Sequence, residues 1–168
     1  GKHFQTLWTA KKDPEATLAD PDSLTGLKAG YSTLEFAFPT PSGDTLRFPD
    51  ARYEGKVVIV QLLGTWCPNC RDETEFLKAY LENHPQADLE VIGLAFERHE
   101  DPKKAMEAIR RFKDHLNPGY DIALAGPADK SAAAAALPML SEVIAYPTMI
   151  ILNKNGEVER IHTGFNGP

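Results

Sequence analysis

Cysteine is almost missing from this chain: 168 residues contain two. That excludes a disulfide-stapled scaffold, and a chain of this length builds a core without one. Long hydrophobic runs are also absent. The longest, Val57 to Leu63, is of strand length and already contains Gln61, well short of the ~20 residues that cross a bilayer as a helix. Nor is there a basic excess. The net charge is −6, whereas phosphate backbones are bound by concentrated positive surface, so nucleic acid is not an expected partner. The one basic cluster, Arg110, Arg111 and Lys113, has acidic neighbours and reads as a solvated helix face. No signal-peptide pattern and no initiator Met open the chain, so Gly1 is expected to begin a fragment whose targeting information lies upstream.

What is present is an ordinary globular balance, 42 % hydrophobic and 25 % charged, at the size of one domain. Residues 1–29, rich in Pro, Asp, Gly and Thr, are expected to form a linker or packed arm. From Tyr31 the pattern tightens. Leu34, Phe36 and Phe38 alternate as in a strand, and "PTPSGDTLRF" supplies a turn and a second short strand. Val57–Leu63 looks like a central strand buried on both faces, and "LEVIGLAF" (89–96) like a second. Between them, a helix stripe of Phe76, Leu77, Tyr80 and Leu81 should stop before Pro85.

Another helix starts near Pro102, with Ala105, Ile109, Phe112 and Leu116 on one face, and closes at Asn117-Pro118-Gly119. "YDIAL" predicts a strand, "DKSAAAAAL" a helix ended by Pro138, and Thr148–Leu152 with "EVERIHT" a hairpin about "NKNG". The order β-α-β-α-β-α-β-β describes an α/β fold: parallel strands with helical crossovers, finished by an antiparallel hairpin.

The two cysteines stand in "VVIVQLLGTWCPNCRDE" (57–73), where a strand gives way to a helix. Pro68 suits the first helical position, since its missing N–H has no partner there anyway. Cys67 then falls at the N-cap, where free backbone N–H groups and the helix dipole favour an anion, and a thiolate is the reactive form. Cys70, one turn further in, is less exposed and better placed to resolve a mixed disulfide than to start one. Helical residues three apart have Cβ atoms ~5–6 Å from one another, against ~3.5–4.5 Å in a disulfide, so closure tightens the first turn and favours a reducible bond.

Competing readings fare worse. Structural zinc wants four N/S ligands, and His84, His99 and His115 sit at helix ends or loops. Haem attachment needs His after the second cysteine, where Arg71 stands. A structural disulfide closing so short a loop gains little entropy.

"GTWCPNCRDE" after an apolar strand closely resembles the thioredoxin-fold active site of TlpA/ResA-like reductases, within the AhpC/TSA–redoxin superfamily. "SGDTLRFPDARYEGKVVIVQLLGTWC" is similar to that family's N-terminal hairpin and central strand, and "AYPTMIILNKNGEVERIHTGFNGP" to its cis-proline loop and closing hairpin. The resemblance implies a thioredoxin-like domain over 30–168: a mixed central sheet with flanking helices and an N-terminal β-hairpin. The family's C-terminal helix is expected to be missing, because the chain stops at Gly167-Pro168.

It also implies residue roles. Cys67 attacks and Cys70 resolves; Trp66 and Pro68 flank them; Tyr146, Pro147 and Thr148 form the facing loop, with Tyr146–Pro147 cis. Glu97 matches a glutamate near the thiols that accepts a proton. Each has a plainer reading: core packing for Trp66 and Tyr146, a strand-opening device for Pro147, a surface acid for Glu97. The implied cofactor list is empty apart from the redox-active Cys67–Cys70 disulfide. Partners would be protein thiols and disulfides and an upstream electron donor, serving a monomer in the periplasm or another extracytoplasmic space, membrane-anchored in the full-length protein.

Two other functions stay in view. A peroxiredoxin-like peroxidase shares the fold, but its P-x-x-x-T/S-x-x-C pattern fails at Val60 and Gly64. A non-catalytic module holding metal or haem on its cysteines would bind without turnover. Finally, Pro68-Asn69 between the cysteines carries no charge, and Asp72 and Glu73 in the first turn would oppose a thiolate, partly offset by Arg71. That combination predicts a reductant.

Overall fold

The computed structural model describes residue 15 and residues 17–167; the first part of the expected 1–29 arm lies outside the described residues. A hairpin of β1 (Phe36–Pro39) and β2 (Thr45–Phe48) opens the domain, with Phe36 opposite Phe48. There follow β3 (Val57–Leu63), α1 (Pro68–Asn83), β4 (Leu89–Glu97), α2 (Pro102–Leu116), β5 (Asp121–Pro127), α3 (Lys130–Ala136), β6 (Thr148–Leu152) and β7 (Val158–Thr163). The main sheet has the order β5-β4-β3-β6-β7. β3, β4 and β5 run parallel, while β6 is antiparallel to β3 and β7 to β6. This is a mixed α/β thioredoxin-like architecture, and among the described residues no helix follows β7.

β3 is central, and the period-2 geometry of a strand divides its side chains between two cores. Val58, Val60 and Leu62 face Leu34, Phe36, Leu46 and Phe48 of the hairpin side together with Ala133 and Leu137. Ile59 and Leu63 face the opposite way, with Cys70 and Leu77 of α1, Ile109 of α2 and Ile122 of β5. Gln61 shares that second face. A polar amide therefore enters the core directly beneath α1.

The helix starts differ in a way that matters for chemistry. Asp101 caps α2 by accepting from Lys103 N at 2.9 Å, and Asp129 caps α3 by accepting from Ala132 N at 2.9 Å. α1 has Cys67 at its N-cap, Pro68 at its first position and no side-chain cap. Its amide donors are left for whatever the thiol becomes. At the end of α2, Asn117 adopts the left-handed conformation (φ 46°) that the Asn-Pro-Gly signal predicts.

The inner face of α1 departs from the expected stripe. Its buried residues are Cys70, Glu73, Thr74 and Leu77, with Leu81 half-buried, while Tyr80 is exposed and stacks on His84. The reason is helical phase: positions 70, 73, 74, 77 and 81 form one row, and it carries an acid and a hydroxyl. Asp72 and Glu73 also lie beyond the first turn, and only Glu73 points inward.

Residues 20–28 pack along β7 and the segment before β6. Asp22 receives Arg160 at 2.8 Å and lies 2.7 Å from His162 Nδ1; Thr163 N donates to the Pro21 carbonyl; Leu27 bridges to Leu140. The edge strand of the sheet is thus covered rather than left open.

Candidate active site

The sulfurs stand where the chain leaves the central strand. Cys67 retains 9 % exposure and Cys70 none, so a single thiol meets the outside. Both are free cysteines. Cys67 Sγ donates to the Tyr146 carbonyl at 3.6 Å, so the loop before β6 reaches across to the more exposed thiol. Burial raises the proton affinity of Cys70 far above that of an ordinary thiol. The neighbouring Cys67 sulfur adds to this, and the Glu73 charge adds a smaller share. Cys70 is therefore a thiol that must lose its proton to a partner at the moment it reacts.

The walls are aromatic. Trp66 folds back over Gly64 and donates Nε1–H to the Phe96 carbonyl at 3.0 Å. A Cβ on Gly64 would sit 2.5 Å from the indole, so only glycine admits this pose. Tyr146 meets Trp66 edge-on at 6.0 Å and stacks on Phe96 at 5.6 Å. Arg98 lies over the indole, 3.9 Å from its centroid. Pro68 is exposed beside the thiol and Pro147 is buried behind it, with Tyr146–Pro147 cis; Phe48–Pro49 is cis too, which no sequence feature signalled. Thr148 has no exposed surface, and its hydroxyl donates to Ala145 O at 2.8 Å. Its side chain shapes the loop and offers nothing to a substrate, contrary to the substrate-facing place expected from the sequence.

Two buried carboxylates flank the thiols. Glu97, 2 % exposed at the end of β4, accepts from Thr65 N and Thr65 Oγ1, both at 2.9 Å. The surface-acid reading of Glu97 is thereby excluded. Burial holds its carboxyl above the usual range, although the Thr65 bonds work against that. It ties β4 to the turn that presents Cys67.

Glu73, wholly buried one turn beyond Cys70, is the acid whose charge acts on Cys70. Its Oε2 accepts from Gln61 Nε2 at 2.9 Å and its Oε1 has no partner among the described residues. Burial pushes its carboxyl up to about 7, with the Gln61 bond pulling the other way. Sequence reasoning placed Glu73 with Asp72 in the first helical turn as a charge opposing a thiolate, and gave Gln61 no role. The available signals were Gln61 itself, a polar residue in an apolar strand, and the three-residue step from Cys70 to Glu73. Among the described residues no three His, Cys, Asp or Glu side chains gather as a metal site.

A dithiol at an uncapped helix start after the central strand of a mixed sheet, faced by a cis-proline loop, defines the thioredoxin-fold dithiol proteins. The AhpC/TSA family profile matches residues 29–161, and the chain belongs to that family. The thioredoxin-like protein YneN of Bacillus subtilis is 30 % identical over 139 residues, spanning 83 % of this chain and 74 % of that protein. The thiol-disulfide oxidoreductase ResA of Halalkalibacterium halodurans is 24 % identical over 142 residues, 82 % of this chain and 69 % of its own. The crystal structure of a thiol:disulfide interchange protein of the thioredoxin family from Chlorobium tepidum TLS shares the fold. Its TM-score is 0.62 at 20 % identity, over 81 % of this chain and 87 % of that one. ResA is named a thiol–disulfide oxidoreductase and the Chlorobium protein a thiol:disulfide interchange protein, and this chain is a thiol–disulfide oxidoreductase with paired thiols on the same fold.

Proposed function

We propose that the protein reduces disulfides in other proteins by a two-step exchange at Cys67 and Cys70. The observation that carries this reading is the division of labour between the sulfurs: Cys67 at the uncapped start of α1 with some exposure, Cys70 sealed one turn behind it. In the first step the Cys67 thiolate attacks a substrate disulfide; that S–S bond breaks, a mixed disulfide forms, and one substrate sulfur leaves as thiolate. In the second, Cys70 gives up its proton and attacks Cys67 Sγ. The mixed bond breaks, Cys67–Cys70 closes, and the second substrate sulfur leaves. Two electrons have passed outward, and an upstream donor must return them.

The side chains divide the remaining work. Trp66, Pro68 and Tyr146 form the rim on which a substrate chain rests, with Pro147 and Thr148 holding the loop behind. Glu73 takes the Cys70 proton: it is buried beside that thiol, and its carboxyl titrates near neutrality, where a general base works best. Glu97 acts through Thr65 on the placement of Cys67. The Cys67–Cys70 disulfide is the sole redox group needed, and one chain completes the site, which suits a monomer. The resemblance to TlpA/ResA-like reductases supports an extracytoplasmic place of work and a membrane anchor in the full-length protein. Among the described residues no helix is long and apolar enough to cross a membrane.

Turnover with a disulfide-bonded protein and dithiothreitol tests the reading. Wild type should reduce the substrate, Cys67→Ser should not, and Cys70→Ser should accumulate a mixed disulfide on Cys67. Peroxide consumption that survives Cys70→Ser would instead make the protein a peroxidase, and stoichiometric binding of metal or haem without exchange would make it a carrier.

A further inference from the structure

We propose that Gln61 and Tyr120 are positioning residues for the exchange reaction: they hold the Glu73 carboxylate with one oxygen tied and the other bare. This rests on the reductase reading above and names the parts that set its internal base. Gln61 is wholly buried, the polar member of an otherwise apolar central strand. Its carbonyl oxygen faces two hydroxyls, Tyr120 OH at 2.9 Å and Thr74 Oγ1 at 3.2 Å. The Thr74 hydroxyl is shared with the Cys70 carbonyl at 2.8 Å and also bonds the Tyr120 phenol, so the phenol is the nearer of the two donors on Gln61. With its oxygen engaged there, the amide must turn its N–H groups towards α1. They reach Glu73 Oε2 at 2.9 Å and the Cys70 carbonyl at 3.4 Å.

With Glu73 ionised, a flipped amide would set its oxygen against a carboxylate oxygen and a carbonyl, three acceptors with no proton among them. The carboxylate and the carbonyl, which only accept, select the pose, and Tyr120 donates to the amide oxygen that this pose presents. The phenol is itself placed by the turn after α2, where left-handed Asn117 and Gly119 (φ +81°) swing the chain so that a buried tyrosine leads into β5.

The consequence is chemical. A buried carboxylate with one strong donor keeps its ionised form within reach, because a hydrogen bond to the charged form favours it. The second oxygen, Oε1, has no partner among the described residues and remains available for a proton. The groups that bear on Glu73 are Cys70 from α1, Tyr120 just before β5 and His162 on β7, whose positive form favours the carboxylate. None of these supplies the Glu73 hydrogen bond that Gln61 does.

The test reads the carboxyl directly. In reduced protein labelled with 13C-glutamate, the Glu73 signal, assigned by its loss in Glu73→Gln, is followed against pH. The pH profile of mixed-disulfide resolution is measured alongside. Gln61→Leu should move the Glu73 midpoint upward by on the order of one pH unit and carry the resolution profile with it. Tyr120→Phe, which keeps the ring and loses the donor, should move both in the same direction by less, and it decides the matter if Gln61→Leu does not fold. In a Glu73→Gln background neither change should move the profile further. An unmoved Glu73 midpoint in Tyr120→Phe and Gln61→Leu overturns the proposal. So does an equal displacement of the profile with Glu73 already replaced. An inactive wild type would count against the reductase reading alone, because the carboxyl titration is read without turnover.

Discussion

Replacing Glu73 by Gln should make the reduced protein more stable at pH 8 and less stable at pH 4. The carboxyl is wholly buried and pushed from its ordinary 4.5 up to about 7. Below 4.5 it is neutral in both folded and unfolded chains and costs nothing. Between 4.5 and about 7 the folded chain keeps a proton that the unfolded chain has released, so stability falls as pH rises; above about 7 the full penalty applies. At 1.36 kcal/mol per pH unit, that penalty is about 3 kcal/mol, and glutamine never incurs it. Glutamine does place an N–H where Oε1 now sits without a partner, at a cost of ~1 kcal/mol.

The expected balance of those two costs is a gain of ~2 kcal/mol at pH 8 and a loss of ~1 kcal/mol at pH 4. Urea unfolding of both proteins, kept reduced and followed by circular dichroism between pH 4 and 8, measures the difference directly. At a urea dependence of ~2 kcal/mol/M the midpoints should separate by about 1 M at pH 8. Titrating groups that do not interact with Glu73 cancel in the comparison. A gap between the two proteins that stays constant across pH would refute the claim that Glu73 is a buried acid charged against its environment.

Brief iodoacetamide treatment of the native reduced protein should label Cys67 and spare Cys70, read by mass mapping; labelling of Cys70 first would reverse their roles. Glu73→Gln should displace the pH profile of mixed-disulfide resolution more than Glu97→Gln does, since the charge acting on Cys70 belongs to Glu73, and the opposite ranking would return the proton to Glu97. Gly64→Ala should expel the indole from the Phe96 carbonyl, because a Cβ there lies 2.5 Å from it; the cost should be ~1–3 kcal/mol, and an unchanged unfolding midpoint would contradict the packing. The Cys67–Cys70 couple, equilibrated with glutathione and read by thiol trapping, should lie nearer about −270 mV than about −120 mV, and a value at the oxidising end would rule out a reductant.

How much of this was legible beforehand depends on the range of the interaction involved. Element order, the N-cap place of Cys67 and the sealed place of Cys70 follow from neighbours within a few residues: a β-branched run, Pro68 at a helix start, one helical turn between sulfurs. The hairpins are equally local. The sequence by itself therefore determined the fold class and which thiol keeps some exposure.

Tertiary structure decided which acid of α1 is buried. Whether Glu73 or Asp72 points inward depends on the phase with which α1 lies on the sheet, and no local preference sets it. Gln61 looked like a blemish in a hydrophobic strand until Tyr120, fifty-nine residues away, was found on its carbonyl. Glu97 read equally well as surface or site until Thr65 proved to hold both its oxygens. Buried polar groups are satisfied by whatever the completed fold brings to them, so their partners, and with them their proton affinities, are written only in three dimensions.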